Sequence, residues 1–199
     1  MRHWMTLALI AAATAEPVWI EGEDATHPEV KRHPWYHGQV KKGELSGGEF
    51  LSHFDDAGEG KVSYEFEIDA AGEHELWLRA NPVKSRLFHQ VDDAAEREID
   101  FSKGLIGQVN LAADGKPDLR FMAWCRVGTF PLEAGKHRLR FRFASKLSNH
   151  GSIDCFVLAP PGFEPDGILK PGEIEQRREE LAKGEDGWLP WVPQGEGEN

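Results

Sequence analysis

Between Val18 and Leu158, apolar residues recur at every second position in short runs closed by turn residues, and this period of two is the strongest constraint on the fold. Val62, Tyr64, Phe66 and Ile68 alternate with Ser63, Glu65 and Glu67; Ala71-Gly72 then turns the chain into His74, Leu76, Leu78 and Ala80. Successive side chains on a strand point to opposite faces, so each run reads as a half-buried strand. Leu87 to Asp92, Phe121 to Leu132 and Leu139 to Phe143 repeat the theme, with Glu133-Ala134-Gly135-Lys136 as a hairpin-like turn before the last. The spacing predicts an all-β fold, an antiparallel β-sandwich.

The outward positions carry charge. Arg138, Arg140 and Arg142 lie on one face of their strand, as do Glu65 and Glu67 on theirs, which predicts cross-strand pairing rather than a grip on an acidic ligand. Trp77, between Glu75 and Arg79, also has outward parity and reads either as an arginine-stacking ring or as a platform for a flat ligand.

At the N-terminus, Arg2 and His3 precede an apolar run from Met5 to Ala13, and Ala13-Thr14-Ala15 supplies small residues for signal-peptidase cleavage. Residues 1–15 therefore read as a signal peptide, with a secreted, periplasmic or cell-surface product. The run is shorter than the roughly 18 apolar residues of a membrane span, so no membrane insertion is expected. Losing Arg2 moves the net charge from −11 to −12. Such an acidic surface repels phosphate, and nucleic acid is not an expected partner.

After Pro160-Pro161-Gly162 the pattern changes. Residues 16–161 form the sandwich, and 162–199 read as a linker or docking arm. Within the arm, Pro171 opens a short helix from about Glu173 to Lys183, with Gly184 as its stop and only Ile174 and Leu181 as its apolar side. Trp188 and Trp191 follow; they either fold back onto the sandwich or begin contacts with a neighbouring domain or protein.

Cys125 and Cys155 fall on different strands, and read either as a disulfide or as two buried thiols. No nucleophile elbow, His-Glu-x-x-His helix or phosphate loop is present, and the chain reads as non-catalytic. His27, His33 and His37 share one loop and read as solvated rather than zinc-binding; Asp114-Gly115 with Asp118 reads as a turn before a second cation loop.

Two acidic marks stand at opposite ends of the strand-rich region: Glu21 and Glu23, two apart, and Asp154 in Ile153-Asp154-Cys155-Phe156. With the first and last strands side by side, the three carboxylates reach one point, where they suit a hard ion such as calcium. The alternative is a pair of solvated glutamates on an edge strand.

Glu21-Gly22-Glu23-Asp24-Ala25 resembles the E-x-E-x-A opening of carbohydrate-binding modules of the family 6 and family 35 type. Leu45-Ser46-Gly47-Gly48, Ala71-Gly72 with Arg79-Ala80, Leu132 to His137, and Ile153-Asp154 follow in the family's order, over about Val18 to Pro160. Trp35-Tyr36, Asp118 to Phe121 and Ile153 to Leu158 are also similar to N-terminal modules of large secreted bacterial proteins. The resemblance implies a galactose-binding-like jelly roll whose partner is a polysaccharide or glycan. It places Glu21, Glu23 and Asp154 on the positions of a structural calcium that ties the first strand to the last. It places Trp35, Tyr36 and Trp124 at sugar-stacking positions, with Asn149 and His150 as hydrogen-bonding groups. Ser152 stands where relatives often carry an asparagine that contacts sugar, a departure that leaves open the competing reading of a structural interaction module without a sugar pocket.

Overall fold

The computed structural model of the chain describes residues 16–34 and 36–185. Residues 1–15, expected to be a signal peptide, and Trp35, Trp188 and Trp191 lie outside the described residues.

The alternating runs become two antiparallel sheets packed face to face. One sheet has the order β1 (Val18–Glu21), β11 (Gly151–Ala159), β5 (Gly72–Ala80), β9 (Phe121–Leu132) and β8 (Ile106–Asn110), with β3 (Leu51–His53) also paired to β11. The other has the order β2 (Thr26–Glu29), β4 (Gly60–Ile68), β10 (Gly135–Phe143), β6 (Leu87–Val91) and β7 (Arg97–Glu98). Burial along β4 follows the alternation residue by residue: Val62, Tyr64, Phe66 and Ile68 are buried, while Lys61, Glu65 and Glu67 are exposed. These four side chains meet Leu76 and Leu78 of β5, Leu139 and Phe141 of β10, and Phe156 and Leu158 of β11 in one core between the sheets. Tyr64 places its ring edge against Phe156 at 4.8 Å and donates its hydroxyl to the Gly22 carbonyl at 2.7 Å, so its polar tip is satisfied inside the core.

The first and last strands are neighbours, Val18 opposite Leu158 and Glu21 opposite Cys155. The turn after β1 lies so close to β11 that a Cβ on Gly22 would sit 2.3 Å from the Ile153 carbonyl oxygen. β11 itself is buried along its whole length, because its two faces serve different layers. Phe156 and Leu158 face the core, whereas Cys155, Val157 and Ala159 join Trp77 and Trp124 on the opposite face. The β11–β5 register shifts between Ile153 and Cys155, and a bulge at this point turns Asp154 out of simple alternation.

That second face is covered by the arm. Phe163 packs against the Trp77, Trp124 and Val157 cluster, and Trp124 donates its indole N–H to the Gly167 carbonyl at 2.8 Å. Helix α1 (Pro171–Glu185) follows, with Pro171 in its first turn and the Glu173 carboxylate accepting the Lys170 N–H at 2.7 Å, half of a capping box. Ile174 is buried and Leu181 exposed, and the helix runs through Gly184, which the sequence marks as its stop. Among the described residues no helix is long and apolar enough to cross a membrane.

Both cysteines are free thiols, because Cys125 faces the core and Cys155 the layer under the arm, on opposite faces of one sheet. On the solvent face of the other sheet, Arg138 pairs with Glu65 at 3.1 Å, Arg140 with Gln90, and Arg142 with both Glu96 and Glu59.

Candidate functional site

Two places are candidates for binding. The first is a cleft at one end of the sandwich that holds about 50 Å³ of free volume. Its lining combines apolar Phe50, Val40, Leu111 and Phe121 with polar Tyr36, His37, Ser52, Asn81, Arg120 and His150. The order of the strands explains the convergence. The starts of β9 and β11, the end of β5 and the short β3 all finish at this end, so the segments leaving them meet there.

Most of these polar groups are already committed. His150 has Nδ1 2.9 Å from the Leu147 carbonyl and Nε2 2.9 Å from the Val83 carbonyl. Asn81 donates its amide to the Leu119 carbonyl and accepts the Val83 N–H at 2.7 Å. His53 accepts the Lys31 N–H at Nδ1, which assigns its ring proton to Nε2, 2.9 Å from the Gly58 carbonyl. The Tyr36 ring stacks on His33, with centroids 4.4 Å apart, and has the Arg120 guanidinium 5.0 Å from its centre. Burial holds His33 below the ordinary histidine value; burial, then the Arg32 charge, does the same for His37, whose Nδ1 lies 3.1 Å from the Ser52 hydroxyl.

Arg120 organises one wall. Its side chain is only 5% exposed and donates to both Asp118 oxygens, to Asp114 at 3.0 Å and to the Gln39 carbonyl at 2.8 Å. These bonds join the turn carrying Tyr36 to the loop between β8 and β9. The Asp-Gly turn and Asp118 thus bind an arginine of this chain.

The expected ligand residues divide. Tyr36 and His150 line the cleft; Trp35 lies outside the described residues. Asn149, in a left-handed conformation (φ 46°), turns its amide to the Asp55 carbonyl at 2.9 Å and stays out of the lining. Trp124 requires a correction. It is fully buried beneath the arm, edge-on to Trp19 at 5.6 Å, because its position on β9 faces the layer opposite the core and not the loop end. Trp77, of outward parity as expected, is buried in the same layer and donates to Glu75 at 3.4 Å. Sequence reasoning missed Phe50, Asn81 and Arg120. The Asp118 to Phe121 stretch was the only signal for the last.

The second place is an acidic pocket beside the β1–β11 seam. Gly47, with φ 62°, lets the Ser46–Gly48 turn approach so closely that a Cβ there would sit 3.3 Å from Glu23 Oε1 and 3.9 Å from Glu21 Cδ. Glu21 accepts the Trp19 indole N–H and pairs with Lys170 of the arm at 2.9 Å. One oxygen of each glutamate, Glu21 Oε2 and Glu23 Oε2, is buried without a partner, as is the Ser46 hydroxyl. Burial lifts Glu23 above the ordinary carboxyl value; a backbone hydrogen bond opposes this, and the charges of Glu21, Asp24 and Asp154 add to it. Asp154 differs from its expected role. It forms a buried ion pair with Arg79 and accepts the Ser46 N–H at 3.0 Å. Burial pushes its carboxyl up to about 6, against the pull of Arg79. Among the described residues no group of three or more His, Cys, Asp or Glu is arranged to hold a metal.

No protein-family model and no curated protein matches the chain. Among solved structures, the chain is similar to a GH26-CBM35 β-(1,4)-mannanase of Podospora anserina, at 19% identity and TM-score 0.49, over 78% of this chain and 30% of that one. It is similar to an exo-β-1,3-galactanase of Phanerochaete chrysosporium, at 16% identity and TM-score 0.45, over 72% of this chain and 29% of that one. A family 35 carbohydrate-binding module from an environmental isolate is similar at 13% identity and TM-score 0.47, over 76% of this chain and 99% of that one. The chain thus spans less than a third of the two enzymes and nearly all of the module.

Proposed function

We propose that this protein is a secreted module that binds carbohydrate without catalysis, through the cleft at the Tyr36 end of the sandwich. The observation that carries this reading is the cleft itself, lined by apolar and aromatic side chains together with polar ones, at the end where β11 begins. A pyranose has an apolar C–H face and a hydroxyl edge, and such a lining complements both. The ordered series of motifs from Glu21 to Asp154 supports the same assignment. A glycan array is the direct test. Binding by the wild-type protein, lost in Phe121→Ala or Tyr36→Ala with folding intact, is expected. Silence across the array favours the second reading, a structural interaction module, for which the internal commitment of His150 and Asn81 speaks.

We further propose that Glu21 and Glu23 hold a structural calcium. Two unpartnered buried carboxylate oxygens, with the Ser46 hydroxyl similarly unpaired, are oxygen donors of the kind a hard cation takes and support this reading. Asp154, committed to Arg79, acts as the pocket's wall and not as its third ligand. The ion would hold the seam between β1 and β11 and has no step in catalysis. Calcium at a hundredfold over its Kd is expected to add about 2.7 kcal/mol, a Tm rise of roughly 5–10 °C that EGTA reverses and Glu23→Gln abolishes. A melting curve indifferent to calcium and EGTA removes the ion from this account.

A further inference from the structure

An arginine in the wall of a sugar cleft is ordinarily the group that would hold a sugar carboxylate, since its planar fork matches a carboxylate oxygen pair. In this cleft the fork is already spent. Arg120 makes its bidentate contact with Asp118, reaches Asp114 with the same nitrogen and gives another N–H to the Gln39 carbonyl. A ligand carboxylate would have to displace Asp118 from a guanidinium that is nearly buried and would then stand beside two like charges. Among the other cations near the cleft, Lys42 pairs with Glu49, Lys116 pairs with Asp114, and Lys41 donates to the Asn110 carbonyl. Arg32, an exposed residue in the loop before Tyr36, acts on both His37 and Glu49 from outside the lining. Burial holds His33 and His37 below the ordinary histidine value, toward their neutral forms, and His150 turns both ring nitrogens to backbone carbonyls of this chain.

From this we infer that the cleft takes uncharged sugars and rejects uronic acids, with Asp118 acting as an internal carboxylate that occupies the anion position of Arg120. The inference rests on the carbohydrate reading and names the ligand class of that same cleft. Asp118 is then a specificity-determining residue that touches no ligand. The apolar lining of Phe50 and Phe121 supplies the attraction, and that attraction is insensitive to salt.

The test pairs neutral oligosaccharides (mannan, galactan and glucan fragments) with the matching uronides (glucuronate and galacturonate oligomers). Each is titrated by calorimetry at 20 and 500 mM NaCl. Wild-type protein is expected to bind at least one neutral ligand, with less than a twofold change between the two salts, and to bind the uronides at least tenfold more weakly. Asp118→Asn, checked for an unchanged circular dichroism spectrum, is expected to narrow or invert that ratio by tenfold or more, with the new uronide binding weakened by salt. A protein that loses stability without altering selectivity would not give this gain. Asp118→Ala is the second route to the same release should the asparagine variant misfold. Tight, salt-sensitive uronide binding by the wild type overturns the inference and leaves the carbohydrate reading standing. An unchanged ratio in both folded variants overturns the role of Asp118. Absence of binding to every sugar brings down the carbohydrate reading and the selectivity together.

Discussion

Gly22 and Asp154 show how single positions set the seam of this sandwich. Any side chain at Gly22 would collide with backbone, since its Cβ would stand 2.3 Å from the Ile153 oxygen and 2.9 Å from that of Asp154. Backbone cannot rotate away as a side chain can, so Gly22→Ala is expected to cost about 1–3 kcal/mol or more in urea denaturation. Gly47→Ala, strained by its positive φ and pressed on the Glu23 carboxylate, should weaken the proposed calcium binding beyond any loss of stability, measured by titration of the folded variant. Asp154 is buried with Arg79, and such pairs are strongly destabilising when one partner alone is removed, because the other charge stays in the dry interior. The sequence predicts that Asp154 lies next to Glu21 and Glu23. It does not reveal that a buried arginine of the neighbouring strand meets it first.

At the scale of elements, the arm belongs to the sandwich through Phe163, the Trp124–Gly167 hydrogen bond and the Lys170–Glu21 pair. Ending the chain at Pro160 would bare the layer of Trp77, Trp124 and Val157. Losing the burial of one large apolar side chain costs about 1.5–3 kcal/mol, and more than one is uncovered. A lowered Tm, a red-shifted tryptophan emission and greater aggregation are expected; an unchanged melting curve would make the arm a passive tail. The β9–β10 hairpin has a different dependency. His137 stands 2.7 Å from Asp92 and 2.8 Å from the Glu133 carbonyl, linking its own turn to the residue after β6. Burial pulls His137 down, but these hydrogen bonds and the Asp92 charge outweigh it and leave the imidazole above its ordinary value. For Asp92, burial pulls upward, and the bonds from His137 and Arg138 bring the net below the usual carboxylate value. The histidine's contribution is therefore full below its unfolded value of about 6.5 and fades as pH rises through the folded one; the aspartate's is lost in acid. Wild-type stability should fall relative to His137→Gln between pH 6 and pH 8.5, by less than about 1 kcal/mol because Asp92 is substantially exposed. Parallel urea curves for the two proteins across that range would exclude the effect.

Over the whole molecule, what the sequence determined by itself is local and periodic. Alternation from Val62 to Ile68, the turn at Ala71-Gly72 and the hairpin turn at Glu133 to Lys136 follow from which side chains avoid water and which backbone can turn, and they appear as β4, β5, β9 and β10. The outward arginine row was legible for the same reason, although Arg140 and Arg142 chose Gln90, Glu96 and Glu59 over the expected Glu67; the neighbouring first and last strands were implied by the family resemblance and not by the period. Tertiary structure alone decided which outward face met water. Trp77 and Trp124 have the parity of exposed residues, yet the arm returns over them, and no two-residue period records a layer contributed from a distant part of the chain. It also decided which charges cancel: Arg120 and Asp118 are two apart in sequence, but the burial of Arg120 at the cleft, and its reach to Gln39 and Tyr36, depend on β8, β9 and the Tyr36 turn closing around one point. Periodicity reports the environment of a residue relative to its own strand. Charge compensation depends on distances between strands, and only the folded chain fixes these.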